Sequence, residues 1–175
     1  DELRDQGIRF LSDQGESAQT TTCTSCGAVL HLDGAQAKVV GRNESEVGFP
    51  FAVGDLATFD DAQYEVMGRM LYVEMDGSTT REYLLWSEAA GYLWLEEYER
   101  HYTQYRPTQV GPKLSDVRSA GLNQKVDCGE HTYRFFESGT TQLRYVDGAL
   151  PWLAQHGDTQ DYYTLIAPPR VYSVE

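Results

Sequence analysis

At 175 residues the chain is sized for one domain or two small ones and can bury a core of its own. Its formal charge of −13, from 14 basic and 27 acidic residues, argues against phosphate-backbone binding, which needs clustered Lys and Arg, and against docking on anionic lipid. A hydrophobic content of 41% reads as globular, no apolar run reaches transmembrane length, and three cysteines fall short of a disulfide framework. No leader peptide is legible in residues 1–22, so the cytoplasm is the expected compartment.

In chain order, residues 1–19 are polar, with Leu3, Ile8, Phe10 and Leu11 as spaced apolar anchors. Cys23-Thr-Ser-Cys26-Gly27 follows, leading into the alternating run Ala28-Val29-Leu30-His31-Leu32. A Cys-x-x-Cys-Gly turn before a strand is half of a zinc ribbon, and Cys23 and Cys26 are the candidate metal ligands. A full shell needs two more donors, for which His31, Asp13 and Cys128 are available. A metal-free relic is the expected state, and a redox dithiol is disfavoured because the motif opens a strand rather than a helix. Residues 35–48 form a polar connector, giving a first unit over 1–48.

Residues 53–105 are dense in aromatic and β-favouring types, with Gly or Asp wherever a strand must turn. Asp60-Asp61, Asp76-Gly77 and residues 88–91 read as turns, and 81–87 and 92–98 as strands; a helical reading of 83–101 is the weaker alternative. Arg106-Pro107 and Gly111-Pro112 bracket a linker, with a short helical turn at 114–118. A second unit over 107–175 carries strands at 132–137, 141–146 and 162–166, with Ser138-Gly139 and Asp147-Gly148 as hairpin turns. It faintly echoes the first unit over 49–106: Asp127 to Phe135 mirrors Asp60 to Val66, and Ala149-Leu150-Pro151-Trp152-Leu153 mirrors Gly91-Tyr92-Leu93-Trp94-Leu95. The fold class is therefore mainly β: two small antiparallel units, SH3-like barrels or a sandwich, after a short zinc-ribbon-like arm.

The pattern Val-Gly-Asp, Tyr-Glu-Val-Met-Gly-Arg-Met, Glu82-Tyr83-Leu84-Leu85, Gly91-Tyr92-Leu93-Trp94-Leu95 and His101-Tyr102 resembles the bacterial domain of unknown function 4178 family. Glu137-Ser-Gly139, Tyr145-Val146-Asp147-Gly148, Pro151-Trp152, Gly157-Asp158 and Pro168-Pro169 extend the likeness over residues 49–175. Two positions depart from it: Thr79-Thr80 and Tyr102 stand where tryptophan is usual. The resemblance implies a fold and a bacterial origin and carries no activity with it. It also implies a two-knuckle ribbon ahead of the domain, in which Leu11 and Gln14 occupy the positions of the missing cysteines. Relatives occur in larger proteins or beside membrane-associated and polyamine-related genes, which fits an adaptor.

No phosphate-cradling glycine loop, His-Glu-x-x-His or Gly-x-Ser-x-Gly motif is present. Cys128 and His131 are suitably spaced for a thiol and its base but read better as a buried thiol beside an unrelated histidine. His101 reads as a member of an aromatic cluster. Glu82 either pairs with Arg69 or Arg81 as structural glue or points into a groove lined by Tyr72, Tyr83 and Trp94. The expectation is a non-catalytic accessory or scaffolding module that binds another protein, in a membrane-associated or other bacterial complex, through Tyr72, Glu82, Tyr83, Trp94, His101 and Trp152. The alternative is a binder of small molecules or of cations, polyamine or metal, using Glu82, Asp60 and Asp61. No nucleic-acid partner, membrane insertion or cofactor other than zinc is expected.

Overall fold

A computed structural model of the chain describes residues 18–43, 47–107, 111–129 and 131–174. Its strands are β1 (Thr20–Thr22), β2 (Ala28–Asp33), β3 (Gln36–Arg42), β4 (Leu56–Phe59), β5 (Ala62–Glu74), β6 (Thr79–Ser87), β7 (Gly91–Tyr98), β8 (His101–Tyr105), β9 (Lys125–Cys128), β10 (His131–Leu150), β11 (Thr159–Ala167) and β12 (Arg170–Val174). One short helix, α1 (Leu114–Ser119), stands among them. The molecule is mainly β. The pairings are antiparallel, and the main path β3-β2-β1-β10-β5-β6-β7-β8 ends on two edge strands, β3 and β8, each paired on one side among the described residues. The sheet is thus open, which corrects the expectation of closed SH3-like barrels. Among the described residues no helix is long and apolar enough to cross a membrane.

Strand β10 is the spine. Its first half pairs with β9 and β11, and its second half pairs with β5 and then, at Ala149 and Leu150, with β1. Both turns expected within it are absent. Ser138-Gly139 continues the ladder to Tyr163 and Tyr162, and Asp147-Gly148 continues it to Arg69 and Gly68. A glycine signals either a turn or a close approach of two backbones, and sequence alone does not separate them. At Gly148, with φ +87°, an added Cβ would lie 2.8 Å from Gly68 Cα and would run into the Met67 carbonyl. Where β10 leaves β5 to reach β1, only glycine fits.

The Asp60-Asp61 turn is a tight hairpin with φ of 49° and 66°. Glu99 and Arg100 take the same left-handed pair (48° and 67°) between β7 and β8, although neither is a residue that favours it. The two halves share an opening move: β4 and β9 are short strands, and each turns directly into a long one, β5 or β10.

Alternation along β5, β6 and β7 gives two chemically distinct faces. Tyr64, Val66, Tyr83, Leu85, Leu93 and Leu95 pack on one, under Phe49, Phe51 and Phe59. Met70, Tyr72 and Leu84 pack on the other with Leu143, Val146, Leu150 and Val29, and Tyr92, Trp94 and Trp152 lie against that cluster. A third cluster joins Val117 of α1 to Val126, Cys128, Tyr133, Phe135 and Leu165. The strands β1–β3 are fastened to the rest through threonines. Buried Thr20 accepts from the Ala154 amide (2.9 Å) and donates to the Trp152 carbonyl (2.7 Å), and Thr22 donates to the Val146 carbonyl (3.0 Å).

Candidate functional site

Register decides what shares a wall with what. Met70 faces Glu82, Glu82 faces Glu96 and Glu96 faces Thr103, while Thr80 stands between Tyr72 and Tyr98. Of these, Tyr72, Thr80, Glu82, Glu96 and Tyr98 line a cavity of about 300 Å³ between β5–β8 on one side and β10–β12 on the other. Five carboxylates enter it: Glu74, Asp76, Glu82, Glu96 and Glu137. The remaining lining among the described residues is Tyr72, Tyr98, Tyr105, Tyr162 and small hydroxyl or amide side chains, with no Lys or Arg.

Glu82 and Glu96 are directly opposed across two strands, which brings two carboxylates to one face of the sheet. The two arginines expected to pair with Glu82 go elsewhere. Arg81 pairs with buried Glu97 at 3.3 Å and donates to the Gly48 carbonyl at 3.0 Å, while Arg69 pairs with Asp147 at 2.8 Å. Neither of those contacts is to Glu82, whose side chain lines the cavity.

Tyr162 forms part of the far wall. Its ring lies on Gly139, where a Cβ would come within 2.7 Å of the ring and hydroxyl, and its hydroxyl donates to Glu74 Oε2 at 3.0 Å. Burial, and then the hydrogen bond and charge of Glu74, raise the phenol pKa well above its ordinary value.

Of the residues expected at the site, Tyr72 and Glu82 line this cavity, and Trp94 stands one register step from Glu96 on the same face. Trp94 stacks on Trp152 with ring centroids 5.8 Å apart and planes 17° apart. Tyr83 does not belong with them. It points to the opposite face, is wholly buried beneath Phe49 and Phe51, and cannot serve an exposed contact surface. His101 is exposed at the β7–β8 turn, outside the cavity lining. Asp60 is held by Arg106 at 2.9 Å, and Asp61 borders a separate hollow near Leu56 and Trp86.

The Tyr83 hydroxyl is buried without a well-formed hydrogen bond, and burial and the Glu97 charge push its pKa from 10.0 up to about 12. The unfolded chain therefore releases this proton first. The contribution is fully present below pH 10 and is lost as pH rises toward 12. Tyr83→Phe is expected to shift stability at pH 7 by no more than about 0.5 kcal/mol, since no good bond is lost, and to flatten the alkaline decline. Urea midpoints at pH 7 and pH 11 check both.

The Cys23–Cys26 turn is formed between β1 and β2. Cys23 sulfur receives the backbone amides of Ser25 and Cys26, which with the nearby Arg42 lower its pKa. Arg42, delivered by β3 opposite Ala28, is a cationic neighbour that the linear sequence does not reveal. The expected co-ligands are placed as follows. His31 Nε2 lies 3.1 Å from the Ala154 carbonyl, Cys128 is buried in the third cluster, and Asp13 lies outside the described residues, as does the segment expected to hold the other knuckle. Among the described residues no three His, Cys, Asp or Glu side chains converge as a metal shell.

Cys128 and His131 are register partners, but the thiol is buried and its pKa raised by burial and Asp127, while His131 Nε2 sits 3.0 Å from Arg170. A thiol held protonated is a poor nucleophile.

A family model described as a domain of unknown function (DUF4178) matches residues 52–175. The chain belongs to the DUF4178 family. The carboxylate-lined cavity lies wholly within that match, whereas β1–β3 lie outside it. No curated protein and no solved structure matches the chain. For this DUF4178 domain, the site was only partly visible beforehand. Glu74, Asp76, Glu96, Glu137 and Tyr162 come from four strands and a turn, and the pairings β5–β6–β7, β5–β10 and β10–β11 together bring them to one cavity.

Proposed function

We propose that this domain is a non-catalytic binding module whose cavity takes a positively charged organic ligand, a polyamine or another protonated amine. The observation that carries the reading is the lining itself: five carboxylates and four tyrosines with no basic side chain among the described residues. An ammonium group would meet the carboxylates of Glu82 and Glu96, which stand opposite each other in register, and tyrosine rings favour methylene and ammonium groups alike. The carboxylates are distributed along the walls rather than gathered at one point, which suits an extended cation better than a single metal ion.

The test is a thermal-shift and calorimetric titration with 1,4-diaminobutane at constant ionic strength. Ligand at about a hundred times its Kd stabilises the fold by about 2.7 kcal/mol. Glu82→Gln/Glu96→Gln is expected to abolish the response. An unchanged response in that variant sinks the reading.

A second reading keeps protein recognition. Trp86, Tyr92, Trp94 and Trp152 form a half-buried aromatic row, and Leu153 beside it is 55% exposed. It takes precedence if no amine alters stability.

A further inference from the structure

The Cys23–Cys26 turn lies outside the family match and takes no part in the acidic cavity. The Cys23 amide donates to the Ala28 carbonyl and the Gly27 amide to the Cys23 carbonyl, both at 2.8 Å, and Gly27 turns the chain at φ +69°. From the end of β3, the Asn43 amide donates to the Gly27 carbonyl at 3.0 Å, while its side chain is anchored on the Val146 carbonyl at 2.7 Å. The loop is therefore preformed. It sets the Cys26 thiol within hydrogen-bond reach of the Cys23 sulfur and aims the successive amides of Ser25 and Cys26 at that sulfur, with Arg42 nearby. Successive amides so placed form a nest that favours an anion, here a thiolate. Cys23 is half-buried and Cys26 exposed, so solvent reaches the pair.

The donor count selects the metal. The chain has three cysteines, and the third, Cys128, is buried in a different cluster. His31 is engaged by the Ala154 carbonyl and His131 by Arg170, and among the described residues no third His, Cys, Asp or Glu joins the two thiols. Zinc takes four ligands, and two sulfurs leave half of that shell unfilled by protein. A soft monovalent ion with a filled d shell, copper(I) or silver(I), prefers thiolate and is satisfied by two. We propose that the Cys23–Cys26 turn is a binding site for one such ion, held by the two sulfurs alone. Two thiolates and a monovalent cation leave one negative charge, which the two amides and Arg42 offset. Exposed Cys26 leaves one side open to an incoming thiol, so the ion enters and leaves by ligand exchange. The site is independent of the amine-binding cavity.

The experiment offers the reduced full chain copper(I) as its coloured bicinchoninate complex, with ascorbate and without oxygen. The chain is expected to withdraw one ion per molecule, and X-ray absorption to show two sulfur neighbours and no nitrogen. Cys23→Ser and Cys26→Ser, both at a surface turn and checked for folding by circular dichroism, are each expected to weaken binding about a hundredfold or more, and Cys128→Ser to leave it within about threefold. In the unmodified chain, copper(I) is expected to protect Cys23 and Cys26 from alkylation by iodoacetamide, which tests the site without any variant. One ion per two chains, or a third sulfur or nitrogen neighbour, overturns the two-sulfur site. Zinc(II) that displaces copper(I) at equal concentration overturns the choice of ion. Retention by both folded serine variants, or alkylation of the pair unslowed by copper(I), overturns the assignment to this turn.

Discussion

Gly148→Ala is expected to lower stability by about 3–5 kcal/mol, enough to unfold much of the population of a domain of ordinary stability. Two costs combine. The residue sits at φ +87°, where an L side chain loses about 1–2 kcal/mol. The new methyl also meets Met67 O, Gly68 Cα at 2.8 Å and Val53 Cγ2 at 3.0 Å, two of them backbone atoms that cannot turn aside. The crossing is tight from the other side as well, since a Cβ on Gly68 would sit 2.7 Å from Leu150 Cδ2 and 3.0 Å from Ala149 O. Gly77→Ala is the control. Its φ of +89° is nearly the same, but nothing stands within 4 Å, so it is expected to cost only about 1–2 kcal/mol. Equal urea midpoints for the two variants would show that the crossing tolerates a methyl and that conformation alone sets the cost.

Gly148 also shows where sequence reading runs out. Alternation and aromatic density locate β6 and β7 to within two residues, because each strand has one apolar face and clear turn residues at its ends. The turns at Asp60-Asp61 and Asp76-Gly77 are legible for the same reason. Asp147-Gly148 carries an equally strong turn signal, yet lies inside a strand of 20 residues. The signal reports a left-handed backbone position, which a hairpin and a tight strand crossing both require. The Glu99-Arg100 turn is the converse case, a left-handed pair formed by residues with no turn signature and held by the β7–β8 ladder around it.

The candidate site is less legible than the fold because its members are far apart in sequence. Glu82 draws notice within an apolar strand, but its role depends on which residues stand opposite, and register is not written locally. Glu96 and Glu97 are adjacent and chemically equal, yet one lines the cavity and the other is buried against Arg81. Alternation separates them only once the faces are known. Tyr83 is misplaced for the same reason: it is one residue from Glu82 and therefore on the other face. The β1–β3 segment adds support that its own sequence does not announce, because Thr20 reaches the Trp152 backbone only after β1 pairs with the end of β10.

Arg69→Ala is expected to cost about 2–4 kcal/mol. Arg69 joins β5 to β10 one position from the Gly68–Gly148 crossing. Its guanidinium donates through Nε to Asp147 Oδ2 at 2.9 Å and through a terminal nitrogen to the Phe51 carbonyl at 3.2 Å, and its Cζ lies 4.9 Å from the centre of the Phe49 ring. Both side chains are mostly buried, with 20% and 18% exposed, so removing one leaves a charge that water only partly reaches. Asp147→Ala is expected to cost less, about 1–3 kcal/mol, because Arg69 keeps Phe51 and Phe49. Arg69→Lys keeps the charge but not the planar fork, and is expected to recover less than half of the loss. A double-mutant cycle measured by urea unfolding separates the pair from its surroundings, with an expected coupling of about 1–2 kcal/mol that changes little in 1 M salt. A coupling near zero would mean that Arg69 acts through the Phe49–Phe51 segment rather than through Asp147. The β5–β10 junction would then be held by backbone pairing and glycine packing alone, and Arg69→Lys should approach wild-type stability only if its ammonium still reaches the Phe51 carbonyl.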